Sequence, residues 1–258
     1  MNDRIATDIA PFVRRDVDAR GVITLTLDRP QSFNALSEGM LAALQAELDA
    51  VAKDENARVV VVAATGKAFC AGHDLKEMRA APSLPYYEAL FAQCARLMLT
   101  IQRLPVPVIA RVQGIATAAG CQLVAACDLA VAADSARFAV SGVNLGLFCS
   151  SPSVPLVRNV ARKPAFEMLV TGEFISADEA RARGLVNRVA SMEALDGAVE
   201  SLVATIALGK ALFYRQIESG AEAAYEDAAR TMACNMMDAD TLEGVQAFID
   251  KRKPSWPS

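Results

Sequence analysis

Residues 105–122, PVPVIARVQGIATAAGCQ, contain the pattern that decides the fold. The apolar run VIARV follows two prolines and is typical of a buried strand, and the stretch that ends near Cys127 predicts a short helix. Between them lie the small residues from Gly114 to Gly120. Because glycine and alanine leave backbone N–H groups open to close approach, this segment predicts a helix N-terminus that a ligand can reach.

A second segment of the same character, KAFCAGHDLKE (67–77), comes directly after the apolar run VVVVAA (59–64). Unpaired N–H groups at the start of a helix carry a partial positive charge. Two such backbone sites that converge on one point would stabilise a negatively charged oxygen. The two segments therefore indicate chemistry that uses backbone N–H groups and requires no particular side chain.

Strands and helices alternate along most of the chain. The pattern predicts strands at 22–27, 59–64, 108–112, 128–133 and 185–189, and helices at 37–52, at 86–104 and after a capping box formed by Ser176 and Glu179. From about Met192 onward the sequence is rich in Ala, Glu and Leu and predicts helix alone. Repeated strand–helix units imply an α/β core with crossover connections. We assign this core to residues 1–195 and a helical C-terminal region to residues 196–258.

The composition excludes several classes of protein. The 258 residues are 53% hydrophobic and 22% charged, which is typical of a globular protein with one large domain or two small ones. The formal net charge of −4 gives no electrostatic basis for binding nucleic acid or an anionic membrane. Polar side chains interrupt the longest apolar stretch, 106–133, so we expect no membrane span. Six cysteines without a C-x-x-C pair, and an N-terminus without a secretory apolar region, indicate free thiols and a cytoplasmic location.

The chain contains a single histidine, His73. This count excludes every site that needs two histidines, including His-His-carboxylate metal centres. His73 and Glu77 lie one helical turn apart, but one histidine and one carboxylate make a poor metal site, so we expect no metal. The same count leaves no second histidine to activate Cys149, which we interpret as loop packing rather than a nucleophile.

The segments quoted above resemble the crotonase superfamily, the enoyl-CoA hydratase/isomerase family. The resemblance covers nearly the whole chain, in the family's order and spacing, at 25–36, 66–78, 105–134, 138–147, 169–189 and 247–254. It implies a spiral of β-β-α units followed by a helical region that builds homotrimers, often paired into hexamers. The implied ligand is an acyl-CoA thioester, whose CoA is part of the substrate, and no separate cofactor is implied. A eukaryotic homologue would be expected in the mitochondrial matrix.

The resemblance also implies roles for individual residues. The backbone N–H groups of His73 and Ala119 match the pair that binds the thioester oxygen and stabilises an enolate or a tetrahedral oxyanion. The other matching positions line the substrate: Ala71, Asp74, Leu75 and Lys76 near the thioester and pantetheine, Arg29, Phe33 and Ala35 around the CoA nucleotide, and Phe248 and Lys251 where a neighbouring subunit's CoA can be reached. Arg29 and Lys251 are candidate phosphate partners by their charge.

The sequence departs from the family at both glutamates that hydratases use to hold and deprotonate water. Gln122 and Gly142 stand at these positions. Glutamine cannot exchange a proton near neutral pH and glycine has no side chain, and the loss of one proton-transfer group lowers a rate by roughly 10²–10⁴-fold. We therefore predict an enzyme that binds acyl-CoA and stabilises an oxyanion but hydrates 2-enoyl-CoA inefficiently. The combination of GCQLVA (120–125), GVNLGLFCS (142–150) and KRKPSW (251–256) is similar to one specific subgroup of the family.

Three alternatives remain open at this point. Family members that decarboxylate malonyl-type thioesters resemble this chain at Ala71–Asp74, and their histidine holds the leaving carboxylate, so His73 would do so here. The chain could also bind acyl-CoA without turning it over. Finally, Asp74 or Glu77 could supply the missing carboxylate, although Asp74 is also a candidate helix cap. Gln122 would orient a water or the acyl carbonyl through its amide, or be a satisfied helix residue.

Overall fold

The structure, a computed structural model, describes residues 11–80, 82–203 and 210–255. The strands are β1 (Val13–Val17), β2 (Val22–Leu27), β3 (Val59–Ala64), β4 (Ala68–Cys70), β5 (Val108–Val112), β6 (Ile115–Thr117), β7 (Leu129–Ala133), β8 (Arg137–Ala139), β9 (Ile175–Ser176) and β10 (Arg188–Ala190). The helices are α1 (Glu38–Val51), α2 (Leu75–Ala80), α3 (Leu84–Arg103), α4 (Ala119–Ala126), α5 (Ser150–Asn159), α6 (Arg162–Thr171), α7 (Ala177–Ala182), α8 (Leu195–Val203), α9 (Lys210–Ile217), α10 (Ala221–Asn235) and α11 (Ala239–Ile249).

The strands form two sheets. The larger sheet has the order β1-β2-β3-β5-β7-β10, and the smaller sheet has the order β4-β6-β8-β9. All pairs are parallel except β1 with β2 and β8 with β9. Three times in succession the chain places one strand in the larger sheet, the next in the smaller sheet and then a helix. This mixed α/β arrangement confirms the repeat of β-β-α units that the family resemblance implied.

The central strands of the larger sheet are buried on both faces. Every residue of β3 is buried, as expected for a central parallel strand. Because side chains alternate along a strand, Val60 and Val62 pack into the main core with α1, α3 and α4, whereas Val59 and Val61 pack into a second cluster with α8. Helix α8 thus covers the outer face of this sheet.

The chain divides into two compact units, residues 1–207 and 208–258. Helix α8 belongs to the first unit, whereas the sequence interpretation began the helical C-terminal region at residue 196. The second unit contains α9, α10 and α11, and α9 packs against α10. Within the described ranges, no helix has both the length and the apolar character needed to cross a bilayer.

Most of the predicted elements are confirmed. Strands β2 and β3 have the predicted bounds, and Ser37 caps α1 by accepting a hydrogen bond from the backbone N–H of Met40. The predicted capping box at Ser176 and Glu179 is present at the start of α7. The prediction was wrong in giving no strand to residues 13–17, 68–70, 115–117, 137–139 and 175–176, where β1, β4, β6, β8 and β9 lie, and it began the last strand too early.

Candidate functional site

The N-terminus of α4 forms one side of the candidate site. Ala118 precedes this helix with φ 50° and ψ −121°, a conformation that alanine rarely adopts and that holds about 1–3 kcal/mol of backbone strain. Gly120, two residues after Ala118, packs directly against β4. A Cβ added to Gly120 would lie only 2.0 Å from the carbonyl oxygen of Cys70. The N–H of Ala119, the first residue of α4, donates a hydrogen bond to none of the described residues. It therefore remains available to a ligand.

The loop after β4 forms the other side. Strands β4 and β6 pair in parallel, so their carboxyl ends lie at the same edge of the smaller sheet. Gly72, in this loop, has φ +90°, and an added Cβ would lie 2.9 Å from the Cβ of Ala118 and 3.2 Å from the backbone nitrogen of Ala119. The following residue, His73, also has a backbone N–H that donates to none of the described residues. The sheet thus brings two unpaired N–H donors together.

The ring of His73 has a defined orientation. Its Nδ1 lies 3.2 Å from the carbonyl oxygen of Leu36, and the N–H of Leu36 donates to the carbonyl of Gly72 at 2.8 Å. On another side, the ring meets Phe91 of α3 edge-on, with the ring centroids 5.5 Å apart. Burial lowers the pKa of His73 below its ordinary value of 6.5, so the imidazole is neutral at neutral pH.

Gln122 lies on the first turns of α4 and is only 4% exposed. Its Oε1 is 3.9 Å from the Sγ of Cys94 on α3, and burial raises the pKa of Cys94 to about 12, so this thiol keeps its proton and donates it. The amide Nε2 donates to none of the described residues. Phe91 and Cys94 are neighbours at i and i+3 on α3, so His73 and Gln122 touch adjacent positions on one helix face.

The position of the second glutamate is physically filled. Gly142 lies in a short 3₁₀ segment, Ser141–Leu145. A Cβ added there would lie 2.4 Å from the Sγ of Cys149 and 2.7 Å from the carbonyl oxygen of Leu147. Burial raises the pKa of the Cys149 thiol, so this residue is a poor nucleophile and acts as packing. A thiol and a loop backbone therefore occupy the space into which a side chain at residue 142 would project.

The two nearby carboxylates serve helix N-termini. Oδ1 of Asp74 accepts hydrogen bonds from the N–H groups of Lys76 and Glu77, at 2.9 and 3.2 Å, and so caps α2. Oε2 of Glu77 accepts from the N–H of Glu38 at 2.9 Å, which ties α2 to the first turn of α1. Both carboxylates are held by backbone donors, which disfavours the alternative in which one of them replaces a catalytic glutamate.

The remaining predicted contact residues are distributed over two units. In the first unit, Phe33, Leu75 and Lys76 are exposed, and Ala35 and Ala71 are half-buried. The guanidinium of Arg29 donates to the carbonyls of Pro11 and Asp28 and lies 4.3 Å from the ring centroid of Phe12. Phe248, in the last turn of α11, and Lys251, just after this helix, are exposed residues of the second unit. No group of three or more His, Cys, Asp or Glu side chains suited to a metal ion occurs among the described residues.

Sequence reasoning missed the residues that hold this site in shape. Asn34 is fully buried; its Oδ1 accepts from the N–H of Arg29 and its Nδ2 donates to the carbonyls of Thr65 and Ala68. Leu36 holds the ring of His73 through its backbone, which leaves no signal in a sequence. Of these residues, only Asn34 could have been suspected from the sequence, because it is a polar residue within the motif at 25–36.

The enoyl-CoA hydratase/isomerase family model matches residues 18–258. The chain belongs to this family. It is 47% identical to Enoyl-CoA hydratase domain-containing protein 3, mitochondrial, of Xenopus laevis over 92% of this chain and 83% of that protein. The crystal structure of an enoyl-CoA hydratase of Mycobacterium smegmatis is 65% identical, with a TM-score of 0.94 over 96% of this chain and all of that one. The 1,2-epoxyphenylacetyl-CoA isomerase of Escherichia coli is 30% identical over 92% of this chain and 95% of that protein.

These similarities confirm the family and the subgroup that the motifs at 120–125, 142–150 and 251–256 indicated. The roles of His73, Ala119, Gln122 and Gly142 stay predictions, as do the proposed CoA contacts.

Proposed function

We propose that this protein acts on acyl-CoA thioesters and stabilises an enolate with the backbone N–H groups of His73 and Ala119. The observation that supports this proposal is the close approach of Gly72 to the backbone nitrogen of Ala119, which brings the N–H groups of His73 and Ala119, each without an acceptor among the described residues, to one edge of the smaller sheet. Donors fixed in this way need no reorganisation when negative charge develops on the thioester oxygen, and removal of one such donor typically lowers kcat by about 10²–10³-fold.

Hydration is not expected to be its main reaction. Gln122 offers an amide in place of an acid–base group, and Cys149 fills the space beside Gly142. Water addition needs a group that removes a proton from water and a group that protonates carbon. Enolate formation and its reversal need only one base near the α-carbon, so isomerisation or α-proton exchange fits the site better.

Decarboxylation is a weaker candidate. In that alternative the ring of His73 would donate a hydrogen bond to the leaving carboxylate, but its Nδ1–H is already donated to Leu36. A neutral ring then presents an acceptor at Nε2, and an acceptor does not bind a carboxylate. The Escherichia coli relative is named 1,2-epoxyphenylacetyl-CoA isomerase, so at least one relative in this comparison carries the name of an isomerase that acts on a CoA thioester.

The substrate contacts implied by the family belong to this proposal. We propose that the thioester and pantetheine lie along Ala71, Asp74, Leu75 and Lys76, and that the nucleotide of CoA meets Arg29, Phe33 and Ala35, with Phe248 and Lys251 from another subunit. We further propose a homotrimer or a pair of trimers, no cofactor besides the CoA of the substrate, and a cytoplasmic location, or the mitochondrial matrix for a eukaryotic homologue. The frog relative is named mitochondrial.

The decisive experiment measures four reactions of the wild-type protein and then repeats them with one donor removed. The four are α-deuteration of butyryl-CoA in D₂O, isomerisation of a 3-enoyl-CoA, hydration of crotonyl-CoA and CO₂ release from methylmalonyl-CoA. We expect exchange or isomerisation to exceed hydration. Ala119→Pro removes the N–H at the first position of α4, where no intrahelical hydrogen bond is lost, and is expected to lower that rate by about 10²–10³-fold, with thermal unfolding as the check that the variant folds.

Ala239→Pro is the matched control, because Ala239 is an exposed alanine at the first position of α11. It is expected to leave the rate unchanged. A lowered C=O stretching frequency of the bound thioester in wild-type protein, measured by infrared difference spectroscopy, would report the two donors without any substitution. Tight acyl-CoA binding with no turnover in all four assays and no shift of the C=O band would identify a binding protein and overturn the proposal.

A further inference from the structure

We infer that the imidazole of His73 is the base that takes the α-proton of the bound thioester, and that the carbonyl of Leu36 prepares it for this task. This inference rests on the proposed function and adds the identity of the proton acceptor. It assigns two functions to one residue, since the backbone N–H of His73 binds the thioester oxygen while its ring acts on the adjacent carbon.

The tautomer of the ring follows from its hydrogen bond. A carbonyl oxygen can only accept, so the contact of 3.2 Å between Nδ1 and the oxygen of Leu36 requires the proton to be on Nδ1. The neutral ring then has its lone pair on Nε2. Leu36 is itself held in place, because its N–H donates to the carbonyl of Gly72 at 2.8 Å, and residues 36 and 73 form a parallel bridge. The backbone of Leu36 thus fixes the orientation of the His73 ring.

The placement of the ring follows from its attachment. The ring belongs to the residue whose backbone N–H is proposed to bind the thioester oxygen, and the inference places Nε2 beside the adjacent α-carbon. Phe91 closes one side of the ring, and Nε2 accepts a hydrogen bond from none of the described residues. Gln122 touches the next position on the same face of α3, and its free amide donor can hold an oxygen of the acyl group.

The other titratable groups around this ring are unsuited to the task. Asp74 and Glu77 accept backbone hydrogen bonds at helix N-termini, and Tyr87 donates its hydroxyl to the carbonyl of Met78. The hydroxyl of Tyr86 is buried and unpaired, and burial with the charges of Glu38, Glu77 and Asp74 raises its pKa. The thiol of Cys94 donates to Gln122.

The proposed step is a proton transfer, in which no atom is oxidised or reduced. The α C–H bond breaks, its proton bonds to Nε2 and the ring becomes an imidazolium. The C–H electron pair forms the C=C bond of the enolate, and the carbonyl π electrons move to the oxygen held by the two N–H groups. Return of a proton from Nε2 to the α-carbon gives exchange, and return to the γ-carbon of an enoyl chain moves the double bond.

His73→Asn tests the ring without removing the other contacts. The asparagine amide can donate to the carbonyl of Leu36, and the backbone N–H remains, but the proton acceptor is lost. We expect α-deuteration of butyryl-CoA to fall by about 10²–10⁴-fold, with the Kd for butyryl-CoA changed by less than about threefold. The wild-type rate should rise with pH through one ionisation below 6.5 and then become level, because only the neutral ring accepts a proton. The residual rate of the variant should lack this ionisation.

His73→Ala supplies a second measurement, since added imidazole should restore part of its exchange rate in proportion to the imidazole concentration. The inference is wrong if His73→Asn exchanges deuterium at the wild-type rate, or retains the wild-type pH profile, while Ala119→Pro abolishes exchange; the proposed function would survive that result. If wild-type protein neither exchanges nor isomerises any of the thioesters, the inference and the proposed function fail together.

Discussion

Cys149 and Gly142 act as one unit at the scale of single residues. The thiol lies where a β-carbon at position 142 would have to be, so neither residue can be understood alone. A glutamate substituted at residue 142 would drive a charged side chain into a thiol and a loop carbonyl. The absence of a catalytic carboxylate is therefore built into the packing around residues 142–149.

We predict that Gly142→Ala lowers the free energy of unfolding by about 1–3 kcal/mol, because the added methyl group must displace Cys149 and Leu147. Cys149→Ala in the same chain should recover part of this loss, while the contact with the Leu147 carbonyl remains. Urea unfolding of the two single variants and the double variant measures the coupling.

Gly197→Ala is the control for this cycle, since nothing lies within 4 Å of an added Cβ at this exposed position in α8. It should stabilise the protein by about 0.5–1 kcal/mol, the usual difference between alanine and glycine in a helix. Additive effects of the Gly142 and Cys149 substitutions would show that the two side chains do not compete for one space.

Among the elements, short strands decide where the chemistry lies. Strands β4 and β6 have three residues each, yet their parallel pairing brings His73 and Ala119 together from distant parts of the chain. The sequence predicted the long elements correctly because β3 is a continuous apolar run and α1 shows helical periodicity. Three residues are too few for a period, so β6 was read as part of a small-residue turn. The two backbone donors were identified through the family motifs, whereas the Leu36–His73 hydrogen bond between backbone and ring had no signal.

Helix α7 depends on its capping box, and this gives a pH-dependent prediction. Oγ of Ser176 accepts from the N–H of Glu179, and Oε2 of Glu179 accepts from the N–H and the hydroxyl of Ser176. We expect Ser176→Ala to lower the free energy of unfolding by about 1 kcal/mol at pH 7, as measured by urea unfolding.

The hydrogen bonds from Ser176 lower the pKa of Glu179 below 4.5. A carboxyl group whose pKa is lower in the folded state stabilises the protein above its unfolded pKa and loses this effect as the pH falls through its folded pKa. Part of the stability of wild-type protein should therefore disappear below about pH 4.5. In Glu179→Gln this loss of stability at low pH should be absent. If the free energy of unfolding of Glu179→Gln falls below pH 4.5 as much as that of wild-type protein does, the assignment is contradicted.

At the scale of the whole molecule, the second unit exposes many large apolar side chains. Tyr225, Met232, Met237 and Phe248 are each more than two thirds exposed in the single chain, with values of 79%, 68%, 77% and 85%. Stable protein interfaces bury about 1,200–2,000 Å² and are enriched in aromatic residues and methionine. A surface of this composition on α10, α11 and the turn between them supports the proposed homotrimer or hexamer.

We predict that light scattering after size-exclusion chromatography gives a mass of three or six times the 27.4 kDa of one chain. Met232→Glu places a charge within this apolar set and should shift the protein toward monomer at micromolar concentration, because burial of an unpaired carboxylate opposes association. Glu222→Gln, an exposed substitution at the start of α10, should leave the mass unchanged. If Phe248 and Lys251 complete a neighbour's CoA site, the monomeric variant should also bind CoA more weakly while retaining its far-UV circular dichroism. A wild-type monomer with full CoA affinity would show that the exposed apolar side chains serve neither assembly nor substrate binding.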